Sequence, residues 1–306
     1  MDKTKRGIAL FITLLIIASI LSIVAVSFSY LEKAQDDAGE TSALIQGNLL
    51  YKNTTNILKR LFPKGKTDSK KLDILYSVPM MLSEEKSGFM VNLQCSPLMV
   101  GIPIGWLDEA FTKKVPERYS LAVKILEYIL EKYEIKEPQE LEQRIFSAIN
   151  NRVENDDFQP RIIPLNKVLS KERFDRILLN YRLEYDDLNI FNVPWKKYFV
   201  FIQVSKSAVV DGEYLSSELL AAAFEIPIDV VQEEWVIDLD SRQKPTLATF
   251  IAENGMGEVV NNKLFSTKGL NALHCEETYA YRDGHYRFSF NYENERNTNF
   301  EFYGKI

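Results

Sequence analysis

The chain has 306 residues, 46% hydrophobic and 26% charged, with a formal net charge of −6. That is too apolar for a disordered chain, and past the opening segment enough remains for one large or two small folded units. The acidic balance excludes nucleic acid as the main partner, because phosphate binding needs clustered Lys and Arg.

Lys3, Lys5 and Arg6 precede Gly7, and an uncharged run follows from Ile8 to Phe28, broken only by Thr13, Ser19, Ser22 and Ser27. Removing residues 1–7 takes away three cations and one acid and would leave −8. As a helix the run spans roughly 30 Å, the thickness of a bilayer core. A secretory signal has an apolar region of only about 7–15 residues, so the weak cleavage pattern Ala25-Val26-Ser27 comes too late. Basic residues before the run, with Glu32, Asp36, Asp37 and Glu40 after it, place the amino terminus in the cytoplasm and the body outside the inner membrane.

Leu31, Ala34, Ala38, Ile45, Leu49, Leu58 and Leu61 then continue at helical spacings with polar residues between them. Gly39 and Gly47 are weak points, and Pro63-Lys64-Gly65 reads as the stop. Roughly 55 residues of helix would be about 80 Å long, more than a plain anchor needs.

Lys-Arg-Gly before an apolar helix resembles the leader of type IV pilin-like proteins. The resemblance implies cleavage by a prepilin peptidase between Gly7 and Ile8, with methylation of the new amino terminus at Ile8. Most such chains carry Glu at the fifth mature position, where this one has Ile12. A buried carboxylate is costly without a partner, about 2.5–3.5 kcal/mol for Asp on insertion scales. Its absence is a trait of the general secretion pathway K family, the large minor pseudopilins of type II secretion, and implies a subunit with none ahead of it at the fibre tip.

Further along, Leu72–Leu82 and Gly88–Leu98 resemble the early strands of that family and the turn after them, and Phe89, Val91 and Leu93 alternate as in a strand. Pro116 and Glu117 start a helix with Ala122, Ile125, Leu126, Ile129, Leu130 and Tyr133 on one face. A second begins at Pro138 with Leu141, Ile145, Ala148 and Ile149, and a third carries Phe174, Ile177, Leu178 and Tyr181. Tyr198–Ser205 reads as a short strand or buried run, and Ser216–Pro227 as a capped helix. Ser216–Val231 resembles the family's leucine-rich helix and turn. It lacks the basic, glycine-rich hairpin of a DNA-binding helix-turn-helix. Glu277–Glu293 alternates about the Asp283-Gly284 turn, a hairpin signal, and Asn299–Ile306 forms a last strand.

The resemblance thus implies an α+β, pilin-like fold: a long helix at 8–62, membrane-spanning over 8–28, packed on an antiparallel sheet. The sheet comes from 63–104 and 236–306, with a mainly helical domain inserted at 105–235. The implied role is a minor pseudopilin at the tip of the type II secretion pseudopilus, helping to initiate its assembly and protein export. Its partners would be the other minor and major pseudopilins, the prepilin peptidase, inner-membrane lipid, and secreted cargo or the outer-membrane channel. Two rivals stand beside it: a minor pilin of a type IV pilus or DNA-uptake system, and an uncleaved single-pass binding or sensor ectodomain.

No catalytic constellation or nucleotide-binding loop appears in the sequence, and no cofactor is expected. His274 beside Cys275 lacks other ligands at useful spacing, and His285 falls in the predicted turn. Cys95 and Cys275 share one compartment, joined if it is oxidising and buried thiols if it is not. Glu154, Asp156 and Asp157, and Asp238 and Asp240, offer clustered oxygen ligands for calcium but no EF-hand spacing, so solvated acidic loops are the simpler reading.

Overall fold

A computed structural model describes the backbone of residues 3–64, 68–84, 89–150, 169–202, 208–235, 245–255, 259–281, 284–293 and 295–305. Within these, the side chains of 3–13, 82–84, 89 and 305 are outside the description.

Helix α1 runs unbroken from Lys3 to Leu61. Its apolar half, Leu14 to Leu31, is exposed throughout. The hydroxyls of Ser19, Ser22 and Ser27 donate to the carbonyls four residues back at 2.8–2.9 Å, so the polar groups within the apolar stretch are satisfied inside the helix. From Ala43 onward the helix becomes amphipathic, with Ala43, Thr54, Thr55 and Leu58 buried. Phe62 donates its N–H to Leu58 O, and Pro63 ends the helix. Gly47 proves to be a contact rather than a weak point: a Cβ there would lie 2.9 Å from the Tyr279 hydroxyl.

Next come α2 (Ser69–Ser77) and strands β1 (Met80–Glu84) and β2 (Phe89–Pro97). Here the structure departs from the sequence reading. Leu72–Ser77 is helical, capped by the Asp68 carboxylate, which accepts from Lys71 N. Leu72 and Leu75, three apart, are the buried pair, while Ile74 faces solvent. Phe89–Pro97 is continuous strand, as the alternation of Phe89, Val91 and Leu93 predicts.

The chain then leaves the sheet. It passes through β3 (Ile102–Pro103), α3 (Ala110–Lys114), α4 (Pro116–Lys132), α5 (Pro138–Ile149), α6 (Lys171–Tyr185), α7 (Trp195–Tyr198), β4 (Phe199–Val200), α8 (Ser217–Phe224), α9 (Ile228–Glu234) and α10 (Leu247–Asn254). Proline at the first turn opens α4 and α5, and serine hydroxyls cap α6 and α8. These elements share one core, with Ile125, Ile129, Tyr181, Leu219 and Trp235 among its members. The same core takes Leu247, Phe250 and Ile251 of α10, from beyond residue 235.

Strands β5 (Ala272–Tyr281), β6 (Gly284–Glu293) and β7 (Arg296–Lys305) return to the first layer. The sheet order is β1-β2-β5-β6-β7 and every pairing is antiparallel. Tyr281 pairs with Gly284, leaving a two-residue connection, and His285 pairs with Ala280 in strand, exposed. One face of the sheet, with Val91, Leu93, Tyr279, Phe288 and Phe290, packs on α1 and forms a second core of its own.

Candidate functional site

The first functional element is α1 itself. It is the one helix among the described residues long and apolar enough to cross a membrane, and its apolar window, of mean hydropathy 2.4, has no part buried against the protein. Gly7, Ile8 and Ile12 lie on its backbone, while their side chains are outside the description.

The second element is the seam where α1 meets the sheet. Tyr51 sits edge-on to Phe290 at 5.1 Å and contacts Phe300 at 4.8 Å. Tyr279 donates its hydroxyl to Ala43 O, and Tyr292 donates to Phe62 O at 3.0 Å. Two polar pairs cross the apolar layer: Thr54 Oγ1 donates to Glu277 Oε2 at 2.8 Å, and Asn297 Nδ2 donates to Thr55 Oγ1. Glu277 is fully buried, and its Oε1 has no partner among the described residues. Burial pushes its carboxyl up to about 7, against the smaller downward pull of the Thr54 bond.

The third element is the neck through which the helical unit leaves and rejoins the sheet. Cys95 of β2 and Cys275 of β5 stand directly opposite one another, Cα atoms 4.1 Å apart, joined as a disulfide. Buried Asp211 accepts from Leu270 N at 2.8 Å and from Glu213 N at 2.9 Å, tying its own loop to the segment that leads into β5. Burial raises its carboxyl to about 7 as well. A Cβ on Gly212 would meet Ser266 O at 2.0 Å, so that close approach requires glycine.

Other sequence candidates are dispersed. His274 and Cys275, adjacent in a strand, point to opposite faces. Cys275 is consumed by the disulfide, and His274 Nδ1 bonds Asn291 Oδ1 at 2.8 Å on the outer face. Glu154, Asp156, Asp157, Asp238 and Asp240 lie outside the described residues. Among the described residues, no three of His, Cys, Asp and Glu are grouped to hold a metal. Sequence reading missed Glu277 and Asp211. Glu277 stands in the alternating run that contains Tyr279, but which face of that run is inward depends on register, and Asp211 has no periodic neighbours to mark it.

No family model and no curated protein matches the sequence. The structure does match: it is similar to a chain of the crystal structure of the GspK–GspI–GspJ complex from the type 2 secretion system of enterotoxigenic Escherichia coli. The TM-score is 0.52 at 11% identity, over 86% of this chain and 98% of that one. The fold is therefore α+β and GspK-like: a long first helix on an antiparallel sheet, with a helical unit inserted between β2 and β5.

Proposed function

We propose that this chain is a minor pseudopilin at the tip of a type II secretion pseudopilus, where it helps start fibre assembly. The observation that carries this reading is the division of α1. Its first half is apolar and wholly uncovered, while its second half is fixed to a sheet from which a separate helical unit extends. In a membrane the uncovered half is solvated by lipid. Withdrawn from it, the same surface needs neighbouring helices of equal character, which is what a helical fibre core supplies.

In this reading a prepilin peptidase cuts between Gly7 and Ile8 and the amine of Ile8 is methylated. Ile12 suits a subunit with none ahead of it. The amino terminus is cytoplasmic before processing, and the sheet and helical unit are periplasmic. The sheet half is interrupted by the insertion, which continues past residue 235 to include α10. The disulfide at the neck fits an oxidising compartment. The action is mechanical, and the chain is not an enzyme. Other minor pseudopilins and the major pseudopilin pack along α1, and the helical unit faces the outer-membrane channel or secreted cargo. The likeness to a chain of a pseudopilin complex supports the choice over a type IV pilus or DNA-uptake subunit.

Tagged full-length chain, purified from its own membranes after mild crosslinking, is expected to carry other chains with pilin-like leaders in fixed ratio. Recovery of the chain alone under all extraction conditions would overturn the reading.

A further inference from the structure

We infer that the cavity between the outer face of the sheet and the start of α6 is a binding site for a neutral saccharide. Its volume is about 470 Å3, within the roughly 300–1,000 Å3 of small-molecule sites. One wall is formed by β5, β6 and β7, and the other by the first residues of α6 with Phe201 just after β4. Phe201 packs on the helical core, so a ligand here touches both units of the protein.

The sheet wall is built for hydrogen bonding. Ser289 and Asn291 line the cavity and are only 3 and 4% exposed. His274 Nδ1 and Asn291 Oδ1 lie 2.8 Å apart, while Asn291 Nδ2 has no partner among the described residues. Ser289 Oγ lies 2.9 Å from the Tyr303 hydroxyl, which donates to Glu301 Oε2 at 2.9 Å. The second oxygen of that carboxylate has no partner among the described residues and can accept from a ligand. A bulge adds one more polar group. Asn291 pairs with Thr298 and Ser289 with Glu301, so β7 carries one residue more than β6 between these pairs. Asn299, left-handed at φ 53°, lies in that bulge and lines the cavity.

The lining selects the ligand by exclusion. Its charged residues are Lys171, Glu172 and Glu301. Lys171 is paired with Asp175, so an anion would meet two carboxylates and no unpaired lysine or arginine. A cation is no better served. Glu172 sits in the first turn of α6, where the helix end compensates it, and Glu301 already accepts from Tyr303. Both aromatic rings are also taken: Lys171 Nζ lies 5.7 Å over Phe201, and the Arg287 guanidinium, bonded to Glu276, lies 4.8 Å over Tyr303. An apolar ligand would strand Asn291 and Glu301 away from water. A neutral ligand rich in hydroxyls remains. Sugar hydroxyls donate to a carboxylate and accept from amides, and the Tyr303 ring, 46% exposed, offers its uncovered face to the C–H side of a sugar ring.

The test uses full-length chain in phosphatidylcholine nanodiscs, with empty nanodiscs subtracted, and saturation-transfer NMR of cellobiose, maltose and N,N′-diacetylchitobiose. At least one is expected to bind, and the preferred one separates amide-bearing from plain glycans and β from α linkage. Tyr303→Ala should weaken that binding about tenfold and Glu301→Ala about threefold, while Tyr303→Phe, which keeps the ring, should retain most of it. Both side chains are exposed, and unchanged circular dichroism of each variant confirms folding. No transfer to any of the three sugars at millimolar concentration, or affinity unmoved by Tyr303→Ala and Glu301→Ala, overturns the proposal. So does tighter, Tyr303-dependent binding of choline or inorganic phosphate. The readout does not depend on the export role, so either reading can fail alone.

Discussion

Replacing Glu277 with Gln should stabilise the helix–sheet layer at alkaline pH and leave it nearly unchanged in acid. The carboxyl is held at about 7 in the fold, against an ordinary value of 4.5, because it is buried between α1 and the sheet. A carboxyl raised by folding favours the folded state when protonated. Its stabilisation is therefore fully present below about 4.5, is lost as pH rises through about 7, and stays lost above. A shift of about 2.5 units corresponds to about 3 kcal/mol between the two limits. Gln keeps an acceptor for the Thr54 hydroxyl at 2.8 Å but brings an amide group that must find a partner, so a net gain of about 2 kcal/mol at pH 8 is expected. Tryptophan fluorescence is the wrong probe, since Trp106, Trp195 and Trp235 all lie in the helical core. Amide exchange over residues 50–58 and β5, corrected for intrinsic rates and measured at pH 5 and pH 8, reads the relevant layer. Equal pH slopes for the two proteins, or a variant less protected at pH 8, would refute the reasoning.

Three further outcomes follow from contacts elsewhere. Gly47→Ala should cost about 1–2 kcal/mol despite its better helix propensity, because the new methyl meets the Tyr279 hydroxyl at 2.9 Å; Tyr279→Phe in the same chain should return part of that loss in thermal unfolding. Changing Cys95 and Cys275 together to Ala should lower stability by about 2–5 kcal/mol, since the disulfide closes a loop with a sequence separation of 180 residues. Comparison of urea midpoints with and without a reductant able to reach the buried bond checks this. Ser216→Ala removes the cap that accepts from Leu219 N at 3.1 Å and should destabilise the helical unit by about 1 kcal/mol, read by tryptophan fluorescence.

Much of this architecture was legible because the periodic signals were long. The uncharged run before Phe28, the 3.6-residue stripes of α4 to α6 and the alternating aromatic residues of β5 and β6 each repeat often enough to overcome local ambiguity. Leu72–Ser77 was misread because six residues carrying Leu, Ile and Leu fit a strand as well as a helix. The deciding feature, an Asp68 cap with Leu72 and Leu75 inward, involves only one turn. Helix α10 also escaped the reading, although its core residues Leu247, Phe250 and Ile251 have helical spacing, since the segment is only eight residues long. Glu277 could not be weighed from sequence: whether an acid in an alternating strand is inward depends on register, and its partner Thr54 is 223 positions away.

The most direct measurement is the intact mass of the amino-terminal peptide of the full chain, purified from its own membranes. The account predicts a peptide that begins at Ile8 and carries one methyl group on its amine. A peptide that still carries residues 1–7 would contradict it, and would make α1 an ordinary anchor for the sheet and its helical unit.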